Sequence, residues 1–154
     1  MLTIGEQSPS FMLKNEFGEE ISILSLKGKK IVLFFYPKDD TPGCTKESIE
    51  FSEKLKQFHN KNTKVIGVSK DSVESHQKFC TKYDLKVTLL SDPSLKLIKA
   101  FGVWQEKKNY GVTYMGVIRS TFLLDEEGVI VSTWKNVKVK GHVEKVLDAV
   151  LKTD

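Results

Sequence analysis

The most concentrated apolar segment of the chain is Ile31-Val32-Leu33-Phe34-Phe35-Tyr36. It is short, β-branched and aromatic, as expected of a strand buried on both faces. Val65-Ile66-Gly67-Val68 is a second run of this kind, and Thr88-Leu89-Leu90 a shorter third. Between the first two, Phe51, Leu55 and Phe58 recur at i, i+4 and i+7, which predicts a helix from about Thr45 to His59. Ser72 is placed to cap a following helix that runs to about Tyr83, although Ser75 stands where a capping-box acid would complete the signal. Asp92-Pro93 predicts the start of another helix, through Ala100 and ended by Gly102. Residues 103–116 read as an irregular, aromatic-containing connection. Ser120 to Leu124 and Val129 to Trp134 then read as a hairpin around Asp125-Glu126-Glu127-Gly128. The last predicted helix, from about Val143 to Lys152, carries Val143, Val146, Leu147 and Val150 as its apolar stripe. At the opposite end, residues 10–24 read as two short strands around Asn15-Glu16-Phe17-Gly18.

Strands alternating with helices, followed by a late antiparallel hairpin, imply a mixed sheet with helices on both faces. With its N-terminal β-hairpin, this α/β order is solved most simply by a thioredoxin-like fold. No repeat, low-complexity tract or long linker interrupts it, so residues 1–154 are expected to form a single domain. A fold of this kind hosts many activities and assigns none.

Composition narrows the field modestly. The content of 40% hydrophobic and 29% charged residues is that of an ordinary globular protein. No run of about 18 apolar residues exists to span a membrane. The opening MLTIGEQSPSF has neither a basic nor an apolar signal region, so the cytoplasm is the expected compartment. The net charge of +4 comes from lysines spread along the chain with acids between them, which argues against nucleic-acid binding. Arg119 is the only arginine, a planar permanent cation in a lysine-rich chain, and composition alone favours a surface salt bridge for it. Cys44 and Cys80 are too few for a disulfide scaffold, and with His59, His76 and His142 they form no metal-ligand spacing. No metal and no organic cofactor are expected.

The informative segment is Pro37-Lys38-Asp39-Asp40-Thr41-Pro42-Gly43-Cys44, which joins the buried strand to a helix. It puts Cys44 at a helix N-terminus, where unpaired amides and the helix dipole favour a thiolate. The thiolate is the nucleophilic form of cysteine. A dithiol-disulfide exchanger would need Cys-x-x-Cys, but Thr41 occupies the first of those positions.

The stretch from Phe35 to Thr45, with its Pro-x-x-x-Thr-x-x-Cys core at Pro37, Thr41 and Cys44, resembles the active-site loop of peroxiredoxins. The subfamily it matches is that of bacterioferritin comigratory protein (PrxQ). The resemblance continues through Ser69-Lys70-Asp71-Ser72, Ser75 to Phe79, Leu89 to Asp92, Phe101 to Trp104 and Arg119 to Asp125, so it spans most of the chain. It implies that Cys44 is the peroxidatic cysteine that takes an oxygen from a hydroperoxide. Thr41 is then the hydroxyl that bonds thiolate and peroxide, and Pro37 shields the pocket from water. Arg119 polarises the site, which replaces the salt-bridge reading. An acid at the position of Glu47 recurs in the family, yet a first-turn acid complementing the dipole would explain it as well.

Attack leaves a sulfenic acid that a second thiol can condense to a disulfide. Many members carry that thiol five residues on, but here Ile49 stands in that position. Others carry it in the next helix, where Cys80 lies. Val73, His76, Cys80 and Tyr83 also share one helical face, so an inert core cysteine and a one-cysteine peroxidase stay open beside the resolving role. A non-catalytic thioredoxin-fold interaction module is a further alternative, one that would have no need of Cys44, Thr41 and Arg119 together. The resemblance further implies hydrogen peroxide and organic hydroperoxides as substrates, thioredoxin or a similar dithiol as reductant, and a monomer.

Overall fold

A computed structural model describes residues 1–153; Asp154, the last residue of the expected domain, lies outside the described residues. The central strand β3 (Lys30–Phe35) is buried along its whole length, as its sequence predicts. It pairs in parallel with β4 (Thr63–Ser69), which pairs in parallel with β5 (Thr88–Ser91). On its other edge β3 is antiparallel to β8 (Ser120–Leu124), and β8 to β9 (Ile130–Trp134). The expected N-terminal hairpin, β1 (Met12–Lys14) and β2 (Glu20–Ser22), extends the far edge to give the order β2-β1-β5-β4-β3-β8-β9. Asn15 fixes that turn by accepting hydrogen bonds from the amides of Phe17 and Glu19.

Handedness decides which face the helices of the parallel crossovers cover. The crossovers from β3 to β4 and from β4 to β5 step across the sheet in the same direction, so right-handed connections place their helices on one face. These are α1 (Pro42–Glu53), α2 (Leu55–His59) and α3 (Val73–Tyr83). The C-terminal α5 (His142–Leu151) joins them there through Val143, Val146 and Val150. The chain then passes from β5 to β8, which runs antiparallel to it, and α4 (Lys96–Ala100) lies on the other face, where Leu97 and Ile98 join the second core. Strand β3 serves both cores by alternation. Val32, Phe34 and Tyr36 face one, and Ile31, Leu33 and Phe35 the other.

Gly67 shows how closely the central strands and their side chains fit. A Cβ there would lie 2.6 Å from Phe34 Cζ and 2.8 Å from Leu89 Cδ2. Gly67→Ala is therefore expected to destabilise the protein by about 1–3 kcal/mol through overpacking, measured by denaturant unfolding.

Three expectations need correction. The helix expected from Thr45 begins at Pro42 and is interrupted at Lys54. Proline is compatible with the first turn because its missing amide has no helical acceptor there. The helix expected at Asp92-Pro93 starts only at Lys96. A turn closed by the Leu95 amide on the Asp92 carbonyl precedes it, with Leu95 left-handed at φ 66°, and the Asp92 carboxylate accepts from the Ile98 amide. Lastly, residues 103–116 are not irregular. They hold β6 (Trp104–Asn109) and β7 (Val112–Val117), an antiparallel pair apart from the main sheet. Its two-residue turn, Tyr110-Gly111, has positive φ at both positions, the primed turn that suits strand twist.

Candidate active site

The C-terminal end of β3 delivers the chain into the site. Tyr36 continues the strand, its amide bonded to the Val68 carbonyl, and the loop from Pro37 leads into α1. Cys44 is the third residue of that helix and is 1% exposed. Helix geometry leaves the Gly43 and Cys44 amides without intrahelical acceptors, directed at the space before the helix. Arg119 reaches the same place by strand register. Ser120 pairs with Phe35, so the residue preceding β8 lies beside the end of β3.

There the Arg119 guanidinium spans two acid groups. Nη2 donates to Cys44 Sγ at 3.2 Å and Nη1 to Glu47 Oε1 at 2.8 Å. Burial opposes the guanidinium charge, but Glu47 and Cys44 together outweigh it and raise the Arg119 pKa further above its ordinary value. Gly43 permits the approach, since a Cβ there would lie 3.1 Å from Nη2. Arg119 is thus no surface salt bridge.

Glu47 is fully buried, and because α1 begins at Pro42 it sits beyond the first turn. The reading as a dipole-complementing first-turn acid is corrected accordingly: Glu47 is the buried acid partner of Arg119. Burial lifts its pKa to about 7 against the opposing pull of Arg119. Its second oxygen, Oε2, has no hydrogen-bond partner among the described residues. His142 Nε2 lies 3.9 Å from it and is bonded instead to Thr121 Oγ1 at 2.8 Å. Burial, followed by Arg119 and Lys145, depresses His142 to about 4 and keeps it neutral.

A carboxyl whose folded pKa lies above its unfolded value of 4.5 favours the unfolded chain as pH rises. Below 4.5 both states are protonated and Glu47 contributes nothing. Between 4.5 and about 7 the unfolded state alone releases the proton, and above 7 the loss is complete. Stability of the wild type is therefore expected to fall more steeply across this window than that of Glu47→Gln. The gap that opens between the two is on the order of 3 kcal/mol, read from unfolding curves at several pH values.

The other expected site residues fall less uniformly. Thr41 is half-buried just before α1, but its hydroxyl donates to the Lys38 carbonyl at 2.8 Å rather than to the sulfur. Pro37 is half-buried at the start of the loop. Cys80 lies on α3, half-buried against the core of the same sheet face, and both thiols are free. Burial, followed by Glu16 and Asp39, pushes the Cys80 thiol up to about 12.

Sequence reasoning missed the polar network that fastens the loop to α3. Asp39 accepts from Tyr36 Oη (2.6 Å) and Ser75 Oγ (2.8 Å) and pairs with His76 Nδ1 at 2.7 Å. The other His76 nitrogen faces the Leu90 carbonyl at 3.0 Å, and Asp71 accepts from the Asp39 amide and Ser69 Oγ. Outside it, Asp40 accepts from Lys82 and Tyr83. The ligand-type atoms of Asp39, Asp71 and His76 lie within 4.8 Å of one another. Each is already committed to a neighbour, so the cluster is a satisfied structural network rather than an open metal site. The segments Ser69 to Ser72 and Ser75 to Phe79 carried the family resemblance, and this network is the physical use made of them.

The sequence profile of the AhpC/TSA family matches residues 4–133. The peroxiredoxin Bcp of Bacillus subtilis is 47% identical over 149 residues, covering 97% of this chain and 95% of its own. Among solved structures, Xanthomonas campestris peroxiredoxin Q superimposes with a TM-score of 0.88 at 42% identity, over 92% of this chain and 89% of its own. A Xylella fastidiosa PrxQ variant does so with a TM-score of 0.93 at 39% identity, over 98% of this chain and 96% of its own. A buried strand, a cysteine in the first turn of the next helix and an arginine laid against its sulfur thus occur in a chain matched along nearly its full length, and the protein belongs to the AhpC/TSA family, among the peroxiredoxins of the Bcp/PrxQ group.

Proposed function

We propose that in this peroxiredoxin, a thiol peroxidase, Cys44 is the peroxidatic nucleophile, Thr41, Pro37 and Arg119 complete its site, and Cys80 is the resolving cysteine. The observation that carries this reading is the 3.2 Å contact from Arg119 Nη2 to Cys44 Sγ at the first turn of α1. The thiolate attacks the near oxygen of the hydroperoxide, the O–O bond breaks, and its electron pair departs on the far oxygen. Charge grows there in the transition state, so donors fixed beforehand, the Arg119 guanidinium and the first-turn amides, act where charge develops. The Thr41 proton is engaged by Lys38, which leaves the hydroxyl oxygen free to accept the O–H of the peroxide. Pro37 closes the mouth of the loop without adding a donor of its own.

Hydrogen peroxide and organic hydroperoxides are the substrates. Alkyl peroxide reduction activity is ascribed to the X. campestris bacterioferritin comigratory protein, 41% identical to this chain, and supports the organic class. A thiol reductant closes the cycle, and thioredoxin is the proposed donor. The protein acts as a one-domain monomer in the cytoplasm. Among the described residues no helix is long and apolar enough to cross a membrane.

For Cys80, support comes from spacing. The solved X. campestris variants replace, one at a time, two cysteines whose separation in sequence equals that of Cys44 and Cys80. In the folded form Cys80 is held as a thiol within α3, and Cα atoms of a disulfide must come within about 7 Å. Both cysteines are free thiols on separate helices, and resolution is taken to proceed by local opening of α1 and α3 that breaks the Asp39 and Asp40 ties between loop and helix. Intact-mass analysis after one equivalent of peroxide tests the pair. Wild type is expected to lose two hydrogens as a Cys44–Cys80 bridge, and Cys80→Ser to stop at a sulfenic acid on Cys44. Wild type that also stops at the sulfenic acid would make this a one-cysteine peroxidase with Cys80 in its core.

A further inference from the structure

Arg119 is one cation held against two acids, and its geometry does not treat them alike. Sγ of Cys44 and Oε1 of Glu47 each receive one N–H of the guanidinium. Glu47 Oε2 receives nothing, although the residue is fully buried. The charged and polar groups around it are few. Cys44 and Glu50 share its helix, Arg119 and Thr121 approach from β8 and the residue before it, and His142 approaches from α5 with Lys145 one turn on. Lys107 of β6 lies within the field of Arg119 and Cys44, but its ammonium donates to the Val117 carbonyl at 3.0 Å. The neutral His142 is 3.9 Å from Oε2, too far for a hydrogen bond, and is already taken by Thr121. With both Cys44 and Glu47 ionised, two buried anions would share the one guanidinium that touches them, while the Lys107 ammonium is turned to the Val117 carbonyl, an arrangement burial strongly disfavours.

We propose that Glu47 is a positioning residue whose carboxyl holds a proton while Cys44 is a thiolate and gives it up when Cys44 becomes a sulfenic acid. The inference rests on the reading of Cys44 as the peroxidatic nucleophile. In the reduced site Arg119 balances the thiolate, and a protonated Glu47 still accepts from Nη1 through Oε1 while its proton sits on Oε2. Attack transfers two electrons from sulfur to the O–O bond. One oxygen stays on sulfur as the sulfenic acid, and the other leaves as alkoxide or hydroxide and is protonated to alcohol or water. The thiolate charge is then gone, and Arg119 draws the charge onto Glu47 instead. Thiolate, hydroperoxide and Glu47 carboxylic acid become sulfenic acid, alcohol and Glu47 carboxylate. Atoms, electrons and the net charge of the pocket all balance, and no proton is drawn from bulk solvent. Arg119 passes from one anionic partner to the other without moving far. The value near 7 that burial gives Glu47 suits this exchange, because a modest change in the field of Cys44 is enough to tip it.

Proton counting tests the exchange directly. Cys80→Ser protein, in which the product stays at the sulfenic acid, is mixed with hydrogen peroxide at about pH 6 in weak buffer with an indicator dye, beside the Cys80→Ser/Glu47→Gln double variant. The first is expected to form sulfenic acid with almost no net proton uptake, and the second to take up about one proton per sulfenic acid. Equal uptake in the two would overturn the proposal. Infrared difference spectra of the Cys80→Ser protein decide the matter even if the double variant does not react. The C=O stretch of a protonated carboxyl is expected in the reduced form and lost on oxidation, and its persistence would also overturn the exchange. Absence of any sulfenic acid on Cys44 in the Cys80→Ser protein would instead overturn the reading of Cys44 itself.

Discussion

Cys44→Ser is expected to lose peroxide consumption by more than about 10³-fold, equivalent to about 4 kcal/mol or more of transition-state stabilisation. Sulfur supplies the electrons that break the O–O bond, and a serine hydroxyl at the same first turn of α1 has no accessible oxidised state to accept the oxygen. The arrangement around it would stay intact. Arg119 would keep Glu47 as a partner at 2.8 Å, and the small change in a site that is 1% exposed leaves the core as it is. The variant should therefore fold like wild type while remaining inert, which unfolding curves and a peroxide-consumption assay with a reductant present would establish together. A folded, active Cys44→Ser protein would place the chemistry elsewhere in the chain.

Arg119 carries the second large effect, and it acts on both rate and stability. Replacing it with Met removes the donor that touches Sγ and the cation nearest to the breaking bond, for an expected loss of about 10²–10³ in the rate of sulfenic acid formation. Arg119→Lys is not a conservative rescue. An ammonium is a point charge, and it cannot hold the sulfur and Oε1 with parallel N–H groups as the planar fork does. Arg119→Met also leaves the one anion that Cys44 and Glu47 share in the buried pocket without its cation, a loss of roughly 3–5 kcal/mol when the partner of a buried pair is removed. That penalty should vanish on acidification, because a protonated Glu47 needs no cation. Stopped-flow kinetics and pH-dependent unfolding would therefore separate the two roles. A variant whose instability is the same at pH 5 and pH 8, on the order of one kcal/mol at both, would argue that the pocket of Cys44 and Glu47 holds no buried anion.

The central strand and the cysteine that follows it are legible in the sequence because they are local. Ile31 to Tyr36 is apolar throughout and becomes the central buried strand, and Cys44 follows it at the start of α1. What local pattern could not supply is pairing across the fold. Glu47 and Arg119 are 72 positions apart and meet only because β8 runs antiparallel to β3, a register that no window of sequence contains. The network on Asp39 joins a loop to α3 in the same long-range way. Thr41 illustrates a different limit, since its position follows from the motif while its hydroxyl turns to a carbonyl three residues back. The β6–β7 hairpin escaped because Gln105 to Asn109 is polar and poor in strand formers, so neither alternation nor burial marked it. Its one cue was Gly111 after Tyr110, a turn pair outside the common Asn-Gly and Asp-Gly signals.

The measurement that bears most directly on Cys44 is peptide mapping by mass spectrometry of Cys80→Ser protein treated with one equivalent of hydrogen peroxide and a sulfenic-acid trapping reagent. The trapped adduct is expected on the peptide carrying Cys44, formed within the time of a single turnover, and absent when Cys44→Ser is added. An adduct that forms elsewhere in the chain, or peroxide consumed at the wild-type rate with Cys44 unmodified, would contradict the assignment of Cys44 as the nucleophile.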